Sequence, residues 1–145
     1  MSDIRFKKLH DEARIPSRAT NDDAGYDLCS VEELKLAPGR RSLVRTGIAV
    51  EVPTGHGGLV LPRSGLALKH GVTVVNSPGL IDPGYRGEVG VILLNTDPED
   101  TFEVSVGDRI AQLMIVPFAD LSPVWSEDLS ESERGSGGFG STGRS

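Results

Sequence analysis

The stretch VRTGIAVEV, residues 44 to 52, carries the clearest structural signal in this chain. Every second residue in it is β-branched, and the residues between are charged or small. A period of two places alternate side chains on opposite faces of a β-strand. The stretch therefore predicts a strand with one buried face, which ends at the turn residues 53–55. The predicted buried face consists of Val44, Thr46, Ile48, Val50 and Val52.

Similar short apolar runs lie on both sides of this strand, and turn signals at residues 38–39, 83–84 and 98–100 separate several of them. Many short strands at such spacing favour a sandwich, a jelly roll or a barrel. We therefore predict an all-β domain. The predicted runs are IRFKKL (4–9), GLVLP (58–62), VTVVN (72–76), EVGVILLN (88–95), FEVSV (102–106) and RIAQLMIVPF (109–118).

Two parts of the chain depart from this pattern. The run SGLALKHG at 64–71 predicts one short helix, with Ser64 as its N-cap and Gly71 just past its end. Near residue 120 the apolar pattern thins into a polar segment rich in Ser, Gly and Glu. A length of 145 residues favours one compact domain. The predicted organisation is a β domain of residues 1–120 followed by a C-terminal arm of residues 121–145.

Composition excludes several classes of protein. The net charge of −6 gives no overall basic face for nucleic acid, so an anionic ligand would need local arginines or a metal ion. The only cysteine, Cys29, excludes an intrachain disulfide and a cysteine-based metal site, and we expect it to contribute to packing. No apolar run approaches the roughly 18 residues that span a membrane. Residues 1–12 lack the apolar core of a signal peptide. We expect a soluble cytoplasmic protein without membrane or direct nucleic-acid partners.

The segment ERGSGGFGSTG, 133–143, is the only glycine-rich cluster with an arginine and an aromatic residue. Its glycine spacing has the outline of a phosphate-binding P-loop, but it lacks the lysine and the helix that would follow, so we do not expect a P-loop NTPase fold. One interpretation is a disordered tail. The other is a ligand-binding segment, because Arg134 offers five donors to a terminal phosphate and Phe139 offers a flat face to a base.

The segment VNSPGLIDPGYRGE, 75–88, predicts a β-hairpin with Asp82 and Tyr85 at its bend. An aspartate before Pro-Gly is ordinary turn chemistry. The functional alternative is that unpaired backbone groups of the hairpin read a pyrimidine, with help from Asn76, which carries both a donor and an acceptor. Asp82 would then be a candidate general base.

Three further segments offer polar groups. Arg63 precedes the predicted helix, where the N–H groups of Ser64 and Gly65 would bind an anion, unless Arg63 is only a surface residue. Gln112 lies in an apolar strand, where its amide needs partners; a structural hydrogen bond is one explanation. The segment DDAGYDLCS, 22–30, holds three aspartates that are either solvated or able to serve Mg²⁺.

In their order and in their residues, five segments resemble the five motifs of homotrimeric dUTP pyrophosphatases (dUTPases). The resemblance covers nearly the whole chain. The segments are AGYDL (24–28), PRSGLA (62–67), NSPGLIDPGYRGE (76–88), GDRIAQL (107–113) and RGSGGFGSTG (134–143).

This resemblance implies a jelly-roll-like β-barrel with one short helix, assembled as a homotrimer. It implies that each active site is shared by three chains: motifs one, two and four from one chain, the hairpin from a second, and the arm from the third. The implied reaction is the Mg²⁺-dependent hydrolysis of dUTP to dUMP and pyrophosphate. This reaction keeps uracil out of DNA and supplies dUMP for dTMP synthesis.

The resemblance also implies a role for each site residue. Asp82 would deprotonate the water that attacks the α-phosphorus, Gln112 would contact the α-phosphate region, and Arg134 would act on the γ-phosphate. Asp27 would hold Mg²⁺ through water. The implied phosphate-binding residues are Arg63, Ser64 and Gly65; the implied base- and sugar-binding residues are Asn76, Gly79, Ile81, Tyr85 and Phe139, and Gly140 and Ser141 complete the substrate-binding set.

Two alternatives remain at this point. The first is a dCTP deaminase, which resembles dUTPases in fold and carries a similar hairpin. Its deaminating glutamate would fall at Ile92, and no acidic residue follows until Asp97. The second is a catalytically silent nucleotide-binding module on the same fold, against which Asp82, Arg134 and Phe139 argue together.

Overall fold

The computed structural model of the chain describes residues 2–140. These residues form short strands and one helix, with no other helix or strand in the described range. The elements are β1 (Arg5–Lys8), β2 (Tyr26–Cys29), β3 (Leu34–Leu36), β4 (Arg41–Glu51), β5 (His56–Leu61), α1 (Ser64–His70), β6 (Val72–Val74), β7 (Gly79–Ile81), β8 (Glu88–Asn95), β9 (Phe102–Val104) and β10 (Arg109–Pro117).

The strands form two four-stranded antiparallel sheets and one two-stranded sheet. The first large sheet has the order β1-β4-β8-β6, the second has the order β2-β10-β5-β7, and β3 pairs with β9. One core contains buried side chains from both large sheets, including Val44 and Val91 from the first and Leu28 and Leu113 from the second. The predicted all-β, jelly-roll-like fold is confirmed, although the described strands form separate sheets rather than a closed barrel.

Strand β4 contains all of the stretch that predicted the fold except Val52, which directly follows it. All five residues of the predicted inner face are buried. The prediction that only one face of this strand is buried was wrong at Gly47 and Ala49, which lie on the other face and are buried as well. His10, Ala13 and Val31 lie against Gly47, and a Cβ added to Gly47 would lie 2.8 Å from the His10 Cβ. Gly47 has a φ of 69° at a register shift between β4 and β8, a conformation that favours glycine.

The helix prediction needs one correction. Ser64 is the first helical residue, and Arg63 is the N-cap, with extended backbone angles and no side-chain capping bond. Gly71 follows the helix in the left-handed conformation, as predicted, and its N–H donates to the Ala67 carbonyl at 3.0 Å. The helix begins at Ser64 because the Arg63 carbonyl accepts the first helical hydrogen bond, from the Ala67 N–H.

The hairpin prediction at 75–88 was wrong in its pairing. The Tyr85 N–H donates to the Asp82 carbonyl at 3.1 Å, so a tight turn is present. However, β7 before the turn pairs with β5 in one sheet, whereas β8 after the turn pairs with β4 and β6 in the other. The turn therefore carries the chain from one sheet to the other.

Residues 118–140 contain no helix or strand, and nearly all of their side chains are exposed. Their exposed apolar residues include Leu121, Val124, Trp125, Leu129 and Phe139. No helix in the described part of the chain has the length and apolar character needed to cross a membrane.

Candidate active site

One group of predicted site residues meets on neighbouring strands. Gln112 on β10 lies opposite Asp27 on β2 and opposite Leu61 on β5. Arg63 follows two residues after Leu61, at the same end of β5. The register therefore brings Asp27, Gln112 and Arg63 together across three neighbouring strands of this sheet.

Hydrogen bonds hold these side chains in place. The Gln112 amide nitrogen donates to the Pro62 carbonyl at 3.1 Å, and the Arg63 guanidinium donates to the Arg109 carbonyl at 3.1 Å. Arg109 also lies 3.7 Å from the carboxylate of Asp27. Gln112 is half-buried and has the partner that its position required.

Gly25 belongs to this group although the sequence reasoning did not select it. A Cβ added to Gly25 would lie 2.4 Å from the Gln112 side-chain oxygen, so the backbone passes close to the amide. Any larger residue would displace Gln112. The only signal in the sequence was a glycine directly before a strand-like run, which also has the commoner meaning of a turn.

The helix start borders open space. Ser64 and Gly65 are exposed, and a Cβ added to Gly65 would meet nothing within 4 Å. Their N–H groups come before the first helical hydrogen bond, so the helix itself does not satisfy them. An anion in front of this helix would find donors there, with Arg63 beside it.

The Asp-rich loop does not form a cation cage. Asp23 uses its carboxylate locally, accepting hydrogen bonds from the Thr20 N–H and hydroxyl at 3.0 Å each. Asp27 lies instead on β2 and faces Arg109. Within residues 2–140 no group of three or more His, Cys, Asp or Glu side chains is placed to hold a metal ion. Of the two alternatives for this loop, the structure therefore favours the one without a shared cation site for Asp23, whose carboxylate closes a turn.

A second group of predicted residues lines a pocket of about 170 Å³ beside β7. β7 is an edge strand, so one side of its backbone pairs with β5 and the other side is unpaired within the described chain. The Tyr85 hydroxyl donates to the Glu88 carbonyl at 2.8 Å, which holds the ring at the pocket wall. The lining consists of Val60, Val74, Asn76, Gly79, Leu80, Ile81, Tyr85, Glu88, Val89 and Gly90.

Asp82 lies on the exposed turn next to this pocket, between the lining residues Ile81 and Tyr85. Among the described residues, no side-chain hydrogen bond fixes its carboxylate. Ile81 pairs with Gly58 on one side of β5, and Gln112 pairs with Leu61 on the other. Strand rise and spacing then separate Ile81 from Gln112 by on the order of 14 Å. The two groups of residues do not meet within one chain.

The arm residues stand apart from both groups. Arg134, Phe139 and Gly140 are exposed, so no other described part of the chain covers them. The Gly137 N–H donates to the Arg134 carbonyl at 3.2 Å, which curls the segment locally. Ser141 lies outside the described residues.

Cys29 is half-buried, and burial raises the pKa of its thiol above 9.0. A raised pKa leaves little thiolate near neutral pH, so Cys29 is unsuited to nucleophilic chemistry. This agrees with the packing role that the sequence suggested.

Comparison with known proteins gives the same family throughout. A family model described as dUTPase matches residues 11–143. A deoxyuridine 5'-triphosphate nucleotidohydrolase of Clostridioides difficile is 51% identical over 143 residues, which cover 99% of each chain. The enzyme of that name from Mycobacterium leprae (strain TN) is 55% identical over 134 residues, which cover 89% of this chain and 87% of the relative.

Solved structures show the same likeness. The Staphylococcus bacteriophage 80alpha dUTPase G164S mutant with dUpNHpp superposes with a TM-score of 0.93 at 32% identity, covering 99% of this chain and 100% of the other. The D95N mutant dUTPase of phage phi11 of S. aureus, described with a structural Mg(II) ion, has a TM-score of 0.83 at 28% identity. That match covers 90% of this chain and 100% of the other.

Proposed function

The chain belongs to the dUTPase family and hydrolyses dUTP to dUMP and pyrophosphate, and we propose that Asp82 is the general base of this reaction. The reaction removes dUTP from the nucleotide pool and supplies dUMP for dTMP synthesis. The position of Asp82 supports the proposal: its exposed carboxylate lies beside the pocket, between two of its lining residues. A water there would have a base within reach and a bound nucleotide beside it.

The pocket is the proposed binding site for deoxyuridine. The open edge of β7 between Gly79 and Ile81 offers backbone donors and acceptors to the uracil edge, and Asn76 adds an amide. Cytosine would present a donor where uracil presents an acceptor, leaving polar groups unpaired. The Tyr85 ring, held by its hydroxyl on Glu88, is proposed to pack under the deoxyribose and to exclude a 2′-hydroxyl.

The group formed by Asp27, Gln112 and Arg63 is the proposed triphosphate site. Arg63 and the N–H groups of Ser64 and Gly65 would bind the phosphate chain, and Gln112 would contact the α-phosphate. Mg²⁺ usually keeps several waters and takes only one or two carboxylates besides substrate phosphates. A single carboxylate in this group, that of Asp27, fits that mode of binding. When bound, the metal would neutralise the charge of the phosphates.

We further propose a homotrimer in which three chains complete each site. The separation of about 14 Å between Ile81 and Gln112 supports this proposal, because it keeps the turn that carries Asp82 apart from Gln112, which is expected near the same α-phosphate. The arm, residues 121–145, is exposed as far as residue 140 and would close a site elsewhere, with Arg134 on the γ-phosphate and Phe139 stacked on uracil. Gly140 and Ser141 would add backbone contacts. Residues 1–120 would form the β domain.

The deciding experiment replaces Asp82 with asparagine, which preserves size and removes the base. Turnover of dUTP should fall by roughly two to four orders of magnitude, the scale of a general base, while binding of dUpNHpp is retained. Asp11→Asn, a change of the same kind at another exposed loop position, should leave turnover unaffected. Near-normal turnover by Asp82→Asn would exclude Asp82 as the base.

A further inference from the structure

Arg86 and Glu51 together hold the turn that carries Asp82 from outside. We call this pair of residues the brace. One guanidinium nitrogen of Arg86 donates to the carbonyls of Pro83 and Tyr85, the latter at 3.2 Å. The other terminal nitrogen donates to the Glu51 carboxylate at 3.1 Å, at the end of β4. Arg86 therefore ties the turn both to itself and to a strand of the neighbouring sheet.

Glu51 is itself held from its other side. Arg5 on β1 lies opposite Glu51 in the strand register, and its guanidinium pairs with the second carboxylate oxygen of Glu51. The carboxylate thus lies between two arginines on different elements. Because Arg5 also binds the Glu51 carboxylate, that carboxylate holds the Arg86 side chain in a limited range of positions.

A second tie holds the end of the same turn. Glu88 binds the Arg45 guanidinium at 3.1 Å and accepts the Gly47 N–H at 3.1 Å, both on β4. The Tyr85 hydroxyl donates to the backbone carbonyl of Glu88. The turn is therefore fastened to β4 at two points, with Asp82 on the side held by Arg86.

Within residues 2–140 no side-chain hydrogen bond orients the Asp82 carboxylate, so its place depends on the turn backbone. From this arrangement we propose that Arg86, anchored by Glu51, is a positioning residue that sets the location of Asp82 relative to the bound nucleotide. The inference rests on the proposed role of Asp82. Small displacements of a reacting group lower the rate steeply, so the loss of this brace acts on turnover.

The brace is too exposed to serve mainly as a source of stability. The Arg86 and Glu51 side chains are 56% and 37% exposed. Ion pairs with this exposure contribute little to folding. Removing the brace should therefore lower kcat while the melting temperature changes little.

The test measures kcat and KM for dUTP in Arg86→Ala, Arg86→Lys, Glu51→Gln and the double variant Arg86→Ala/Glu51→Gln. Arg86→Ala should lower kcat about 10- to 100-fold, with KM within about threefold. The double variant should be no slower than Arg86→Ala, because the two residues act as one unit. Arg86→Lys should recover only part of the loss, because one ammonium cannot replace the guanidinium fork.

Two outcomes would overturn the proposal. Full activity in Arg86→Lys would mean that only a positive charge is needed, and unchanged kcat in Arg86→Ala would mean that the brace does not position the turn. The matched control is Glu103→Gln, which breaks the exposed Lys35–Glu103 pair between β3 and β9 and should leave kcat unchanged.

Amide hydrogen exchange separates this inference from the role of Asp82. The Tyr85 N–H, which donates to the Asp82 carbonyl, should exchange faster in Arg86→Ala than in the wild type. If Asp82→Asn remained active while this amide lost protection, the base assignment would fail, and with it the proposal that Arg86 acts through Asp82, although Arg86 would still hold the turn. Unchanged protection together with unchanged kcat in Arg86→Ala, beside an inactive Asp82→Asn, would reject the brace alone.

Discussion

The β domain and the arm use apolar residues in opposite ways. In the domain, Leu28, Val91 and Leu113 are completely buried in one core shared by both large sheets. In the arm, Trp125 and Phe139 are fully exposed. The domain is therefore stabilised by its own contacts, whereas the described arm residues contribute nothing to its core; the proposed role of the arm is to close a site on another chain.

This contrast predicts that the arm can be removed without loss of the fold. Deleting residues 133–145 should lower kcat/KM for dUTP by about three orders of magnitude, the scale expected when an arginine finger is lost. The melting temperature of the nucleotide-free protein should remain unchanged, because the deleted residues described here bury no core side chain. Turnover and thermal melting of the same preparation measure both effects.

Mixing experiments sharpen the comparison by asking whose site the arm closes. Chains lacking residues 133–145 and full-length Asp82→Asn chains should each be inactive. After subunit exchange in an equal mixture, about one quarter of sites should combine an intact Asp82 with an arm from a different chain, if assortment is random. Activity should therefore reappear. Confirmed mixed trimers without recovered activity would argue that each chain closes its own site.

The core should respond to truncation where the arm does not. Leu113 is fully buried, so Leu113→Ala should lower the free energy of unfolding by about 2–5 kcal/mol. Leu129 in the arm is exposed, and Leu129→Ala should change it by less than about 0.5 kcal/mol without nucleotide. Urea unfolding of the two variants gives the comparison. Equal losses would mean that the arm packs on the domain in the free protein.

The fold was predictable from sequence where the apolar alternation is long. β8 has the predicted bounds, 88–95, and the inner face of β4 was identified residue by residue. The short strands β2, β3 and β7 were not identified as separate elements. The partner of β7 also escaped prediction, since pairing with β5 depends on contacts distant in the sequence.

For the site as well, the sequence identified residues within motifs but not the contacts between distant parts of the chain. The order of the motifs assigned Asp27, Arg63 and Gln112 to the implied site, and the strand register brings these residues together. Their chemical roles stay predictions until they are tested. The contact between Gly25 and Gln112 and the bond between Arg86 and Glu51 join residues far apart in the chain, so no local pattern encodes them.

The smallest predicted effect concerns a loop of the β domain. Asp97 accepts the Asp100 N–H at 2.7 Å and the Glu99 N–H at 3.1 Å, and these bonds lower the pKa of its carboxyl below 3.8. A lowered pKa in the folded state means that the carboxylate stabilises the fold above the unfolded value of about 3.8. This stabilisation is lost as the pH falls through the lowered folded value.

Asp97→Asn, which retains an acceptor but no charge, should therefore melt slightly below the wild type at pH 6. The difference should shrink as the pH falls below 3.8, because the wild-type carboxyl becomes neutral as well. Thermal melting across this pH range tests the sign. The matched arm variant is Asp128→Asn, whose exposed side chain should make no difference at either end of the range. A melting difference at Asp97 that grows towards low pH would contradict the stabilising effect of these loop contacts, and one at Asp128 would place the arm against the domain.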